Sequence, residues 1–217
     1  MKTMPYRQVI LASNEYYHIF NRSLNNFLIF KNKLDAKRFL AGVSYYLNPE
    51  PPVKFSTYLK NKNTYDLKFE KPLIKIIAYC IMPSHFHFIC QQNQPNGITI
   101  YFQKLTNSYS HYFNTKRERR GPLFEGPFKA KRIESEEQLI HLSRYIHLNP
   151  VTAYLVEQPE DYHYSSYPAY LKKEKSSFVN PEVILSSFQS IQDYEKFVLA
   201  RKEYQRELDK IKHLLLD

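Results

Sequence analysis

The chain has 217 residues, a formal net charge of +10 and 43% hydrophobic residues. That composition supports an ordinary globular core, and no apolar run approaches the roughly 20 residues of a membrane-spanning helix. Two cysteines, Cys80 and Cys90, exclude a disulfide-dense scaffold and a zinc site built on cysteine alone. The first 18 residues lack a continuous apolar stretch, so no signal peptide is expected. The cysteine usage and the lack of a signal-like stretch make a reducing, cytoplasmic compartment the expectation, and the positive charge favours a polyanionic partner.

In chain order, Tyr16–Asn21 is rich in β-formers and reads as a strand. A helix should follow, capped by Asp35, with Ala36, Phe39, Leu40, Val43 and Leu47 at helical spacing and the prolines at 49, 51 and 52 ending it. Residues 53–71 have no clear period and read as a long loop or solvated hairpin. Leu73–Met82 is nearly all apolar and reads as a buried strand. Pro83-Ser84 interrupts it before a second strand, His85–Gln91. Ile98, Tyr101, Phe102, Leu105, Tyr109, Tyr112 and Phe113 mark an amphipathic helix. A short β-like segment, Leu123–Arg132, precedes the capping box Ser135-Glu136-Glu137-Gln138. The helix started by that box should run to about Leu148 on a Leu139, Leu142, Ile146 stripe, with Asn149-Pro150 as its stop. Beyond Tyr170 a short helix should start at Asn180-Pro181-Glu182, and a longer one fits Ile191 through Ile211.

Three features carry candidate chemistry. In His85-Phe86-His87 the two imidazoles share one face of a strand and can bite one divalent ion. Two half-buried histidines with ordinary hydrogen bonds would give the same spacing. Tyr145 and Asn149 are four apart and share a helix face, away from the apolar stripe, with His141 one turn earlier. A phenol is a poor nucleophile at neutral pH unless its target is activated, which a metal on a phosphate would do. From Lys104 to Arg132, eight Lys or Arg stand against two Glu, interleaved with tyrosine and phenylalanine. Cations for phosphates and aromatic platforms for bases suit single-stranded nucleic acid, and a solvated charged face would look alike. Lys116, Arg117, Arg119, Arg120, Lys129, Lys131 and Arg132 are the candidate contacts. Only four glycines are present, so a P-loop or dinucleotide fingerprint is excluded.

Taken in order, AYCIMPSHFHFIC, LTNSYSHYFN, GPLFEGPFKAKRI, LSRYIHLNPV and PEDYHYSSYPAYL resemble the REP-associated tyrosine transposases, a branch of the HUH single-tyrosine, IS200-like transposases. The resemblance spans about Tyr16 to Leu171. It implies a ferredoxin-like α/β (α+β) domain over residues 1–171, its antiparallel sheet carrying the histidine pair, and a helical extension over 172–217. It also implies His85, His87 and Asn149 as ligands of Mg²⁺ or Mn²⁺ and Tyr145 as nucleophile. The implied reaction cleaves and rejoins single-stranded DNA through a 5′-phosphotyrosine. The implied partner is DNA with hairpin structure, which would make the protein DNA-associated, and relatives include monomers and homodimers. A regulator that keeps the fold without cleavage is the alternative. The sequence departs from the family's pattern at Glu125, Pro127 and Tyr154, where Gln, Arg and Gly are frequent, and in a longer insert at 49–72.

Overall fold

The structure, a computed structural model, describes residues 9–61 and 70–206. Four strands form one antiparallel sheet: β1 (Tyr16–Arg22), β2 (Ile74–Ile81), β3 (His85–Gln92) and β4 (Lys129–Arg132), in the spatial order β2-β3-β1-β4. Helix α1 (Lys33–Tyr45) joins β1 to β2, and α3 (Gly97–Lys116) joins β3 to β4, with a short α2 (Phe55–Lys60) after α1. This βαββαβ order with its strand permutation is the ferredoxin-like arrangement. Helix α4 (Glu136–Thr152) follows, then α5 (Tyr167–Tyr170), α6 (Glu182–Leu185) and α7 (Ile191–Leu199). Among the described residues no helix is long and apolar enough to cross a membrane.

Period-two alternation divides the sheet's faces. Tyr17, Ile19, Phe86, Phe88 and Cys90 are fully buried against α1 and α3, with Phe86 meeting Phe39 at 5.5 Å and Phe102 at 5.9 Å between ring centroids. Helix α4 and the segments after it cover the other face over β2 and part of β3. That leaves the β1 and β4 side of this face open. The outer edge of β2 is also sealed: Ser166 N–H donates to Tyr79 O and Asn180 N–H to Ile76 O, while α6 and α7 bury Ile184, Tyr194 and Val198 in the same core. The β4 edge is protected by its charges instead.

Five expectations are corrected. Asp35 does not cap α1: Asn32 does, its Oδ1 accepting from Leu34 N–H, while Asp35 sits buried in the first turn. There the Asp35 carboxylate accepts from Tyr112 Oη at 2.7 Å, Lys116 Nζ at 2.5 Å and Arg117 Nη2 at 3.3 Å. Part of the loop expected over 53–71 is helix α2, whose Phe55 stacks into a satellite cluster with Tyr45, Tyr46 and Tyr58; residues 62–69 lie outside the described ones. Of the β-like Leu123–Arg132 only the last four residues are strand, although Phe124 bridges to Ser23. Finally, α4 runs through Pro150 to Thr152. A proline near a helix end removes one donor, and burial of Pro150 and Val151 in the core, with Thr152 Oγ1 donating to Leu148 O, carries the extra turn. The helix then closes at Tyr154, which holds φ +55° where a glycine would sit without strain. The long helix expected from Ile191 breaks after Leu199; residues 202–206 are helical again, and positions beyond 206 lie outside the described ones.

Two consequences are measurable. A Cβ at Gly97 would lie 2.2 Å from the Leu73 carbonyl oxygen, so α3 cannot start where it does with any other residue. Gly97→Ala should cost about 3 kcal/mol in chemical denaturation. Burial would raise the Asp35 carboxyl's pKa, but hydrogen bonds from Lys116, Tyr112 and Arg117 outweigh it and hold it below the usual range. Its contribution is therefore present above the unfolded carboxyl's pKa of about 4 and is lost as pH falls through the lower folded value. Asp35→Asn should cost roughly 2 kcal/mol at pH 7, with the gap to the wild type closing in acid unfolding curves.

Candidate active site

The site is built on the open face of the sheet. His85 and His87 are half-buried on β3, pointing away from the Phe86 and Phe88 that enter the core. Antiparallel register sets Arg22 opposite His85, Phe20 opposite His87 and His18 opposite Ile89. On β4, Lys129 stands opposite Phe20 and Lys131 opposite His18. Residues directly across an antiparallel pair share a face, so these side chains form one aromatic and basic strip. A cleft of about 510 Å³ opens over it, lined by Phe20, Arg22, Asn26, His85, His87 and Lys129 among others. A larger hollow of about 690 Å³, by Leu47, Pro72 and Phe178, contains none of these residues.

Helix α4 delivers Tyr145 to this face. Its ring stands edge-on to His87, 88° between planes and 6.0 Å between centroids, and the residue is 39% exposed. What fixes the rotation of α4 lies on its back. Ser143 and His147, two residues either side of Tyr145, are fully buried and meet the Tyr194 hydroxyl of α7 at 3.1 and 2.8 Å. His147 Nε2 reaches Ser166 Oγ at 2.8 Å, and that oxygen accepts from Tyr79 N–H of β2. His147 is thus a core residue that ties α4 to the sheet, and burial lowers its pKa to about 3. Asn149 is 7% exposed, and its Nδ2 has no hydrogen-bond partner. His141 is exposed, near Arg144, Glu137 and the ring of Phe197.

Electrostatically the histidines suit neutral chemistry. Burial, helped by Arg22, lowers His85 to about 4. Burial also pushes His87 well below its ordinary value, with His85 and His18 adding to it. Neutral imidazole is the form that ligates a metal. His85 Nδ1 is 3.1 Å from Ser84 Oγ, and His87 Nδ1 is 3.0 Å from His18 Nε2. Among the described residues no group of three or more His, Cys, Asp or Glu is placed to hold a metal. A divalent ion here would therefore use the His85–His87 pair with a ligand of another kind. The Asn149 amide, whose Nδ2 is buried without a hydrogen-bond partner, is chemically suited to that role, because an amide also presents a carbonyl oxygen of the kind that divalent ions take.

The seven basic candidates separate into two groups and one outlier. Lys129 and Lys131 are exposed on the histidine strip. Lys116 and Arg117 are tied to Asp35, and Arg119 to Asn114 Oδ1 and Pro122 O, all at the far end of α3 with Arg120. Arg132 alternates to the other face of β4 and pairs with Glu15 at 3.0 Å. Three strip residues escaped the sequence reading: His18, Phe20 and Arg22, the last paired with Glu125 at 3.0 Å. The alternation of Tyr16, His18 and Phe20 was the available signal, but its meaning depends on pairing with a strand some 70 residues away.

A His-x-His strand thus faces a helix-borne tyrosine on the open side of a ferredoxin-like sheet. Comparison with known proteins adds to this. The family described as "Transposase IS200 like" matches residues 58–149, from α2 through the histidine strand to Asn149. Among solved structures, a REP-associated tyrosine transposase bound to a REP hairpin superposes with a TM-score of 0.56 at 12% identity, covering 82% of this chain and 98% of that one. The two share the fold. A tRNA(His) guanylyltransferase from Saccharomyces cerevisiae aligns at a TM-score of 0.38 and 10% identity, covering 88% of this chain and 73% of that one, too loosely to carry an argument. No curated protein sequence matches the chain.

Proposed function

We propose that this protein is a single-stranded DNA transposase that cuts and rejoins its substrate through a phosphotyrosyl intermediate on Tyr145. The observation that carries the reading is the 6.0 Å approach of the Tyr145 ring to His87 within one chain, on the open face of the sheet. The His85 and His87 imidazoles and the Asn149 amide would hold the Mg²⁺ or Mn²⁺. When bound, such an ion would withdraw charge from the scissile phosphate and make phosphorus a better electrophile.

The chain's own residues do the rest. The Tyr145 oxygen attacks phosphorus in line, giving up its proton to solvent. The bond from phosphorus to the 3′ oxygen breaks, and that oxygen takes up a proton and leaves as a 3′-OH. The downstream strand stays joined to Tyr145 by its 5′-phosphate. Attack by a 3′-OH on the same ester runs the step backwards and releases the phenol. Bond energy is kept in the ester, so no nucleotide triphosphate is consumed. Lys129 and Lys131 would track the phosphates across the cleft while Phe20 offers a face to a base. The REP hairpin held by the structural relative supports hairpin-bearing DNA as the substrate form.

The test is covalent capture. A hairpin-bearing single strand labelled at its 3′ end is incubated with the protein and Mn²⁺ and run on a denaturing gel. Label should migrate with the protein. A strand cleaved with all label in free DNA, or bound without cleavage, overturns the reading in favour of a hydrolytic nuclease or a regulator. The same substrate tests the phosphate track. Lys129→Ala and Lys131→Ala should each lower the log–log salt slope of binding by about 0.7. Lys116→Ala should change it far less, because that cation is already committed to Asp35.

A further inference from the structure

His18 has no part in the chemistry above and lies outside the residues matched by the family. It nevertheless makes a direct polar contact with His87. Its Nε2 is 3.0 Å from His87 Nδ1, with the two rings 19° from parallel and their centroids 5.2 Å apart. Phe20 holds the pair from the side, its ring 4.8 Å from His18 and 6.0 Å from His87. The pairing of β1 with β3 builds this contact, since His18 is the diagonal neighbour of His87 across the two strands.

An N–H···N hydrogen bond between imidazoles contains one proton, and it belongs to one ring or the other. If His87 Nδ1 carries it, His18 Nε2 accepts and the lone pair of His87 Nε2 is available. If His18 Nε2 carries it, a neutral His87 has its own proton on Nε2 and offers a cation nothing. The contact with His18 occupies Nδ1, so Nε2 is the only ring nitrogen of His87 left for a ligand. A histidine that binds a metal commonly has its other nitrogen held by an acceptor, which selects the tautomer and orients the ring. His18 stands where that acceptor must be.

We propose that His18 is a positioning residue that holds His87 in the tautomer protonated on Nδ1, so that the Nε2 lone pair faces a divalent cation. This rests on the reading of His87 as a ligand. The role differs from that of a third ligand, because the nitrogen His18 would use is turned toward His87. It also gives β1 a part in the reaction that the matched segment, which starts at α2, does not contain.

The tautomer can be read directly. In metal-free, ¹⁵N-labelled wild-type protein, long-range ¹H–¹⁵N correlations should place the His87 proton on Nδ1, with the His87→Gln variant assigning the signals. Titration with Mn²⁺ followed by electron paramagnetic resonance supplies the second readout. His18→Phe keeps the ring but removes the acceptor, and should weaken Mn²⁺ binding 10- to 100-fold. His18→Gln, whose amide oxygen can take the same proton, should recover most of that loss. A His87 proton found on Nε2, or His18→Phe binding Mn²⁺ within twofold of wild type, overturns the proposal. Should His18→Phe fail to fold, the wild-type tautomer decides alone. Wild-type protein that binds no Mn²⁺ would instead overturn the metal site proposed above, while the tautomer would still decide the role of His18.

Discussion

Tyr145→Phe should abolish transfer of 3′-end label to the protein and lower strand cleavage by a factor on the order of 10⁴ or more, with DNA affinity within about twofold of wild type. The substitution removes one oxygen and leaves the ring that stands edge-on to His87. It leaves untouched the back of α4, where Ser143 and His147 meet Tyr194, so the helix keeps its rotation. Loss of activity would then report loss of the nucleophile and not of the fold. Water is the competing nucleophile in so open a cleft. If the Phe variant cleaved at the wild-type rate, water would be the attacking group and Tyr145 a packing residue. If it still formed an adduct, another side chain would be the attachment point.

Local periodicity made the main site partners legible. Alternation along β3 was enough to place His85 and His87 together, because facing in a strand depends only on parity. The four-residue interval sets Tyr145 and Asn149 one turn apart on α4, and the structure brings the Tyr145 ring to His87. Tertiary pairing was not legible, and several missed features depend on it. Asp35 looked like a cap because an acidic residue at a helix start usually is one; its partners Lys116 and Arg117 lie some 80 residues on. His18 looked like any strand residue until β1 paired with β3. The basic stretch read as one patch, but the chain turns within it, sending Lys116–Arg120 to the end of α3 and splitting Lys131 from Arg132 across the faces of β4. Pro150 misled for a different reason. A proline penalty is local, whereas the burial that offsets it comes from the core beneath the last turn of α4.

His147 illustrates how a motif can bring a core residue along with a reactive one. It is two residues from Tyr145, which on a helix turns it to the opposite side, and both its ring nitrogens are engaged, by Tyr194 and Ser166. That contrast supplies a control for the second large expected effect. His87→Ala should remove Mn²⁺ binding and lower cleavage by roughly 10³-fold, the scale expected when about 4 kcal/mol of charge stabilisation at the phosphate is lost. DNA affinity should stay close to wild type, since a neutral imidazole contributes little to phosphate attraction. Chelation of the wild-type protein should reproduce the same loss, and chelator should cost the His87→Ala variant nothing further. His147→Ala should behave in the opposite way. Buried partners left behind at Tyr194 and Ser166 should cost about 2 kcal/mol of stability, with Mn²⁺ affinity retained at temperatures where the protein is folded. Cleavage by His87→Ala within tenfold of wild type, still abolished by chelator, would place the ion elsewhere and remove His87 from the reaction.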